Sequence, residues 1–472
     1  MDGTTALKNR ISFEPTPAWL AYLALVALLG MGGIYWFTHF FDSIPSHYFQ
    51  SIVLMILAVF VFLASYIYYK DIFAPVGIFG FSWIFSLGLT SLRLSRIQMP
   101  WSQLTWFVFV INVVMFIVGA LIVAPLVKNL KLTWENPPMA RLWSRKRFFL
   151  FIVLAFILAI MVFMLEVAVE GPPPLFAENK TEAYAEFGIN FLHYITVTLV
   201  IIPSLVYFYI KEYMPGKGKG ATKVLLIFMA VVAFFVVMSL MSKDLLFHSI
   251  LFVMVFANYI KKRKISLKLI AIIMLVIIVG MIGLAEIRFA SELLVRLGQL
   301  DITEEFYWIA MPYIYITFNF ENMNSVINMY DPVNISLGEQ SFAPLWTFTM
   351  FKHIFRASFE SEGSGHLLIQ DFNVSTYLES LYIEYGVPGI IIFPFLYGVV
   401  TQWIYLVMRK RNSPLFIGLY GCLLNAVAFC FFGNFFAHPT TTFFIIFFVV
   451  AYLFCRKKSP RNRSMEMTVN RT

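Results

Sequence analysis

The sequence predicts an all-α fold. The expected architecture is a polytopic membrane helix bundle of about twelve transmembrane helices, with a large external, partly helical loop between the ninth and tenth spans. Three observations predict it. The chain has 472 residues, is 60% hydrophobic and only 13% charged, and has a mean hydropathy of +0.79; a soluble domain carries roughly 25% charged residues. Its apolar residues come in runs of about 20, the length a helix needs to cross a bilayer. Basic residues concentrate in every second link between those runs, as they do where positive charge fixes membrane orientation.

In chain order the apolar runs fall near 19–40, 50–69, 73–92, 104–126, 148–168, 191–210, 222–241, 244–260, 266–287, 386–408, 414–432 and 439–455. Lys8 and Arg10 precede the first, as in a signal peptide. That run is too long for a signal core and has no convincing cleavage site, so it reads as an uncleaved span. Two runs are irregular: 73–92 contains Pro75 and several glycines, and 244–260 is short and begins after Lys243-Asp244. The predicted division is a membrane bundle over 1–287, a loop with amphipathic helices over 288–385, a second part of the bundle over 386–456 and a basic tail over 457–472.

The links sort into two sets. One holds Lys70; Lys128, Lys131, Arg141, Arg145, Lys146 and Arg147; Lys211, Lys217, Lys219 and Lys223; Lys261 to Lys268; and Arg409, Lys410 and Arg411. The alternate set, with Asp42, Arg93, Arg96, the acidic stretch 170–186, Lys243-Asp244 and the long loop, is far less basic. Both termini fall with the basic set, which predicts cytoplasmic termini and an external long loop. The formal net charge of +9 would suggest nucleic acid in a soluble protein; here most of it lies in links, and no nucleic-acid partner follows. Cys422, Cys430 and Cys455 lie in the last two apolar runs. They read as small packing residues rather than a disulfide framework or metal site.

The chain contains none of the soluble-enzyme signatures for phosphate, dinucleotide, zinc or acyl chemistry. No internal repeat is visible. Chemistry is therefore sought among charges at the external rim. Arg93, Arg96, Lys243 and Arg288 run against the orientation rule. Each alone could snorkel to the interface; as a group they suit an anion, Arg as a fork and Lys as a point charge. Within the loop, Phe342–Arg356 reads as an amphipathic helix with Leu345, Trp346, Phe348, Phe351, Ile354 and Phe355 on its apolar side. Its aromatics read as an anchor in membrane lipid, and Arg356 as a substrate contact. His353 and His366 are the loop's imidazoles. Glu166 and His193 read as a pair within the bundle. The segment Asn373–Gly389 is the densest polar entry into any span, with Gly386, Pro388 and Gly389 loosening the helix start. It brings Glu379 and Glu384 to the membrane, where acids at a helix N-terminus can also simply favour the dipole.

At this segment the chain resembles the oligosaccharide repeat-unit polymerases, the Wzy-type O-antigen and capsule polymerases. Asn373-Val374-Ser375-Thr376 followed by Glu384-Tyr385-Gly386-Val387-Pro388-Gly389 is similar to that family's exit from its last loop. Asp71-Ile72-Phe73-Ala74-Pro75 with Trp83 resembles its early proline-containing span, and Gly171–Phe176 its short external loop. Ser242-Lys243 lies where relatives often have a Ser/Thr-Arg pair, and Arg288 where many have a basic residue. Tyr315–Asn322 resembles a further loop stretch.

The resemblance implies a glycosyltransferase at the outer face of the cytoplasmic membrane of a bacterium. It would join oligosaccharide units carried on undecaprenyl pyrophosphate, with no metal, nucleotide sugar or other cofactor expected. A chain-length regulator protein is a candidate partner. The site residues expected are Glu384 or His353 as general base, and Arg93, Lys243, Arg288, Arg296, Arg356, Asn373 and Tyr377 as substrate contacts. Trp308, Tyr313, Tyr315 and Trp346 could stack on sugars or pack internally. Two alternatives stand beside this one. A lipid-linked oligosaccharide flippase suits the span number but normally shows two related halves; an O-antigen ligase shares the architecture and differs in acceptor.

Overall fold

The computed structural model describes residues 46–126, 143–214, 220–260, 279–280, 282–283, 295–329, 338–349, 367, 374–411 and 413–457. The described chain is helical. The longer helices are α1 (Ser46–Tyr69), α2 (Pro75–Thr90), α3 (Gln103–Leu126), α4 (Arg145–Glu170), then the short α5 (Lys180–Glu186) and α6 (His193–Val197), α7 (Ile202–Tyr213), α8 (Gly220–Ser239) and α9 (Lys243–Ile260). They continue with α10 (Tyr307–Met329), the short α11 (Ala343–Phe348), α12 (Leu378–Arg411), α13 (Pro414–Ala428) and α14 (Pro439–Cys455). Helices satisfy their own backbone, which is why apolar runs in lipid fold this way.

Among the described residues six helices are long and apolar enough to cross a membrane: His47–Tyr69, Gln103–Val123, Arg145–Glu170, Gly220–Ser239, Lys243–Ile260 and Leu378–Arg411. A seventh is the pair His193–Val200 and Ile202–Tyr213, bent by 43° where Pro203 enters. Pro75–Thr90, Pro414–Ala428 and Pro439–Cys455 are apolar but shorter. The run at 19–40 and nearly all of 266–287 lie outside the described residues. The chain is thus a multi-pass membrane protein. Its outer surface agrees: only 28% of α4's apolar window is buried, and Leu150, Leu154, Ile157, Leu158, Met161 and Met164 stand exposed along it. A soluble protein would not present so large an apolar face to water.

Two large packed centres, with a smaller one around Met311 and Phe318, hold the described bundle. One joins α4, α7, α8, α9, α13 and α14. The other joins α1, α2, α3, α10 and α12 around Trp83, which donates Nε1–H to the Phe109 carbonyl at 3.2 Å and touches the rings of Phe320 and Tyr377. Between helices in lipid there is no water to expel, so close packing must do the work. At the α3–α12 crossing a Cβ added to Gly119 would strike the Phe395 carbonyl, and one on Gly398 the Phe116 carbonyl. Only glycine admits that approach.

Among the described residues, the links gather at two opposite ends. At one end Asp71 accepts from Tyr259 (2.8 Å), Tyr405 (3.0 Å) and Arg409 (3.2 Å), while Ser144 N–H donates to the Cys455 carbonyl at 2.7 Å. At the other, Tyr377 N–H donates to the Cys430 carbonyl at 3.0 Å, Asn322 donates to that of Val374 at 2.8 Å, and Asn434 to Ser380 Oγ at 3.0 Å.

Among the described residues, part of the segment expected as a loop over 288–385 packs into the bundle. α10 lies within it, yet Phe320, Met323, Val326 and Ile327 are part of the Trp83 core. The reason is its composition: polar Asn319, Glu321, Asn322 and Asn324 alternate with these apolar residues, so it is too polar to span but apolar enough to be pressed against α2, α3 and α12. Cys422, Cys430 and Cys455 are buried and free, as packing residues.

Candidate functional site

The end opposite the Asp71–Arg409 pair holds a second set of buried polar groups. After α2 the chain turns through Arg93, in the left-handed region at φ 50°. It then runs beside 298–301: Ser95 bridges Leu300, Arg96 N–H donates to the Gln299 carbonyl at 3.1 Å, and Asp301 N–H to that of Leu94 at 2.7 Å. This lays Gln98 and Trp101 over α10. Gln98 Nε2–H and Trp101 Nε1–H each donate at 3.1 Å to the two oxygens of Glu321. Tyr313 O–H donates to Gln98 Oε1 at 2.7 Å and accepts from Leu94 N–H at 2.9 Å. Glu321 is buried. Burial pushes its carboxyl up to about 7, against the opposing pull of the Trp101 and Gln98 hydrogen bonds and the Arg93 charge.

A second group lies where α9 begins. Lys243 Nζ sits 4.0 Å from the centre of the Tyr315 ring, and that ring stacks on Phe432 at 5.9 Å. The next residue, Asp244, places Oδ1 3.2 Å from Nδ1 of His248, one turn on. Asn425 of α13 and His438, just before α14, face the same carboxylate.

Glu384 is buried, and its two oxygens accept the backbone N–H groups of Gln340 and, at 3.0 Å, Ser341. It therefore tethers the chain ahead of α11. The helix break expected beside it is present: Gly386 interrupts α12 with φ 60° and ψ −149°, a conformation essentially reserved for glycine. α11 itself is held by Phe348, whose ring meets those of Phe191, Tyr194 and Phe443.

Of the expected contacts, the structure brings Arg93 and Lys243 to this end beside Glu321 and Tyr315. Arg296 is exposed on the short turn at 295–297. Tyr377 is fully buried, donates to Asn112, and packs against Phe79, Trp83 and Phe436. It is core, because its ring faces the bundle from the first turn of α12. Arg288, His353, Arg356, His366 and Asn373 lie outside the described residues. Arg96 forms an exposed pair with Asp301 at 3.6 Å, an arrangement of little energetic weight. Glu166 and His193 pair at 3.0 Å, with Thr196 donating to the same carboxylate at 2.7 Å. Of the aromatics, Tyr313 and Trp346 are tied by hydrogen bonds, while Trp308 is exposed.

Sequence reasoning missed Glu321, Asp244 and His248. The signal for Glu321 was an acid set in an Asn-rich stretch between phenylalanines. For Asp244 and His248 it was their i,i+4 spacing, which puts both on one helical face. Among the described residues no three His, Cys, Asp or Glu side chains are grouped to hold a metal ion. The chain matches no family model, and no curated protein or solved structure is found similar to it.

Proposed function

We propose that this chain is a membrane glycosyltransferase that joins oligosaccharide repeat units carried on undecaprenyl pyrophosphate into a surface polysaccharide. One structural observation supports the reading: at the end opposite the Asp71–Arg409 pair, Lys243 lies on the Tyr315 ring and buried Glu321 accepts from Gln98 and Trp101. The order of motifs resembling the repeat-unit polymerases supports it. Positive links at the opposite end support an orientation with the loop-bearing end outside the cytoplasmic membrane and both termini in the cytoplasm.

The chemistry suits the groups present. When the donor's glycosidic bond breaks, the lipid pyrophosphate gains negative charge. Fixed cations at a site screened from water stabilise that charge far better than they would in bulk solvent. A base takes the proton of the acceptor hydroxyl as the new bond forms.

Deletion followed by sizing of the surface glycan tests the proposal. Loss of the ladder with a single repeat unit retained is the expected result. Loss of all surface glycan would instead indicate a flippase or a ligase.

A further inference from the structure

The start of α9 sets a carboxylate, an imidazole and an amide among phenylalanine rings. His248 is almost fully buried and is ringed by Phe252, Phe435 and Phe444. Its Nε2 has no hydrogen-bond partner and the Thr441 hydroxyl makes none, while the Asn425 amide faces Asp244. Buried polar groups are ordinarily satisfied, and ionisable groups kept inside a membrane bundle ordinarily serve a cavity or a proton path. Asp244 stands at the mouth of this group. Its Oδ1 is buried 3.2 Å from His248 Nδ1, an ion-pair approach without hydrogen-bond geometry, yet its side chain keeps 23% of its surface exposed.

Among the described residues, the other buried carboxylates of this end are committed elsewhere. Glu166 holds His193 and Thr196; Glu321 accepts from Gln98 and Trp101; Glu384 accepts two backbone N–H groups. A general base needs a reachable lone pair and a neighbour that orients it. Asp244 has both. Two groups flank it. Lys243, the preceding residue, carries a positive charge against Tyr315. His438 accepts the Thr440 N–H at Nδ1, 3.3 Å away, which leaves the proton on its other ring nitrogen.

We infer that Asp244 is the general base that takes the proton from the acceptor sugar's hydroxyl, with His248 as the residue that positions its carboxylate. This rests on the glycosyl-transfer reading. The acceptor oxygen forms a bond to the donor's anomeric carbon. The bond from that carbon to the pyrophosphate oxygen breaks, and its electron pair leaves with the lipid pyrophosphate. The hydroxyl proton passes to Asp244 and from there to solvent. The titratable and charged groups facing Asp244 are Lys243 and His248 on its own helix and His438 ahead of α14, with Asn425 the polar neighbour on α13.

The test uses the full chain in liposomes, with lipid-linked single units extracted from cells lacking this protein. If the wild-type chain makes no polymer from them, the glycosyl-transfer reading itself fails, whatever Asp244 does. With an active wild type, Asp244→Asn should lose about 10²–10⁴-fold in rate at unchanged KM. Formate should restore part of the activity of Asp244→Ala. Asp244→Glu, which keeps the charge and so guards against a folding defect, should still turn over at least about tenfold more slowly, as a base displaced by one methylene does. An Asn variant within threefold of wild type would overturn the assignment. So would a loss that formate does not relieve, or a Glu variant at the wild-type rate.

Discussion

Lys243 Nζ lies 4.0 Å above the Tyr315 ring, joining the first residue of a membrane-spanning helix to a polar helix from the segment between spans. The cation is thereby held against an aromatic face at the end of the bundle that carries the loop. A charge fixed in this way requires little rearrangement when an anion develops beside it.

Replacing that charge should be costly to the reaction and nearly neutral to the fold. Lys243→Gln is expected to lower polymer synthesis by about 10²–10³-fold with the protein still present in the membrane. Lys243→Arg should retain part of the activity because the charge remains. Glycan sizing together with immunoblotting of membranes checks both; a full-length ladder from the Gln variant would remove Lys243 from the site.

Glu384 gives a different expectation from a catalytic acid. Its carboxylate accepts the N–H groups of Gln340 and Ser341, so Glu384→Ala leaves buried donors unpaired, at roughly 1–3 kcal/mol. Amide hydrogen exchange should accelerate over residues 338–349 and stay unchanged at the Asp71–Arg409 end. Unaltered exchange in 338–349 would show that the tether is not holding that segment.

Glu321 should make stability depend on pH. Burial raises its folded-state pKa from 4.5 to about 7. Between those values the folded chain keeps a proton that the unfolded chain has released, so raising the pH favours unfolding. This group's contribution should therefore fall by about 3 kcal/mol from pH 4.5 to pH 7 and level off above that. Thermal unfolding in detergent across this range is the measurement, and Glu321→Gln should flatten the slope. An equal slope in both proteins would assign the dependence to other groups.

Topology can be read by cysteine labelling, because the native cysteines are buried. Met99 is exposed beside the Glu321 network. A cysteine placed there should react with an impermeant maleimide applied from outside the cytoplasmic membrane. One at Lys410, exposed at the opposite end, should react only after permeabilisation. The reverse pattern would invert the proposed orientation and move the candidate site to the cytoplasm.

Much of the fold was legible because its causes are local. Runs of apolar residues long enough to cross lipid become helices, since no other conformation satisfies an isolated backbone there; the long helices from Ser46–Tyr69 to Leu378–Arg411 follow from this. Gly386 and the pairing of Glu166 with His193 were also readable, the first from a glycine–proline cluster at a helix start and the second from two ionisable groups with nowhere else to go. Segments rich in both Asn and Phe were not. Tyr307–Met329 looks like loop by hydropathy, and only its neighbours decide which face is buried.

The amino-acid sequence by itself determined the solvent, the helical class and the sorting of links by charge, because hydropathy and positive charge act over one span at a time. Tertiary structure alone decided which polar groups meet. Gln98 and Glu321 are 223 positions apart and touch at 3.1 Å; Glu384 reaches back 44 positions to Gln340; Asp244 and Asn425 come from different helices. Such contacts depend on how helices cross and where glycines let them approach, and no periodicity along the chain encodes that. They bury Tyr377 among Phe79, Trp83 and Phe436, engage Glu384 with two backbone N–H groups and set Asp244 against His248.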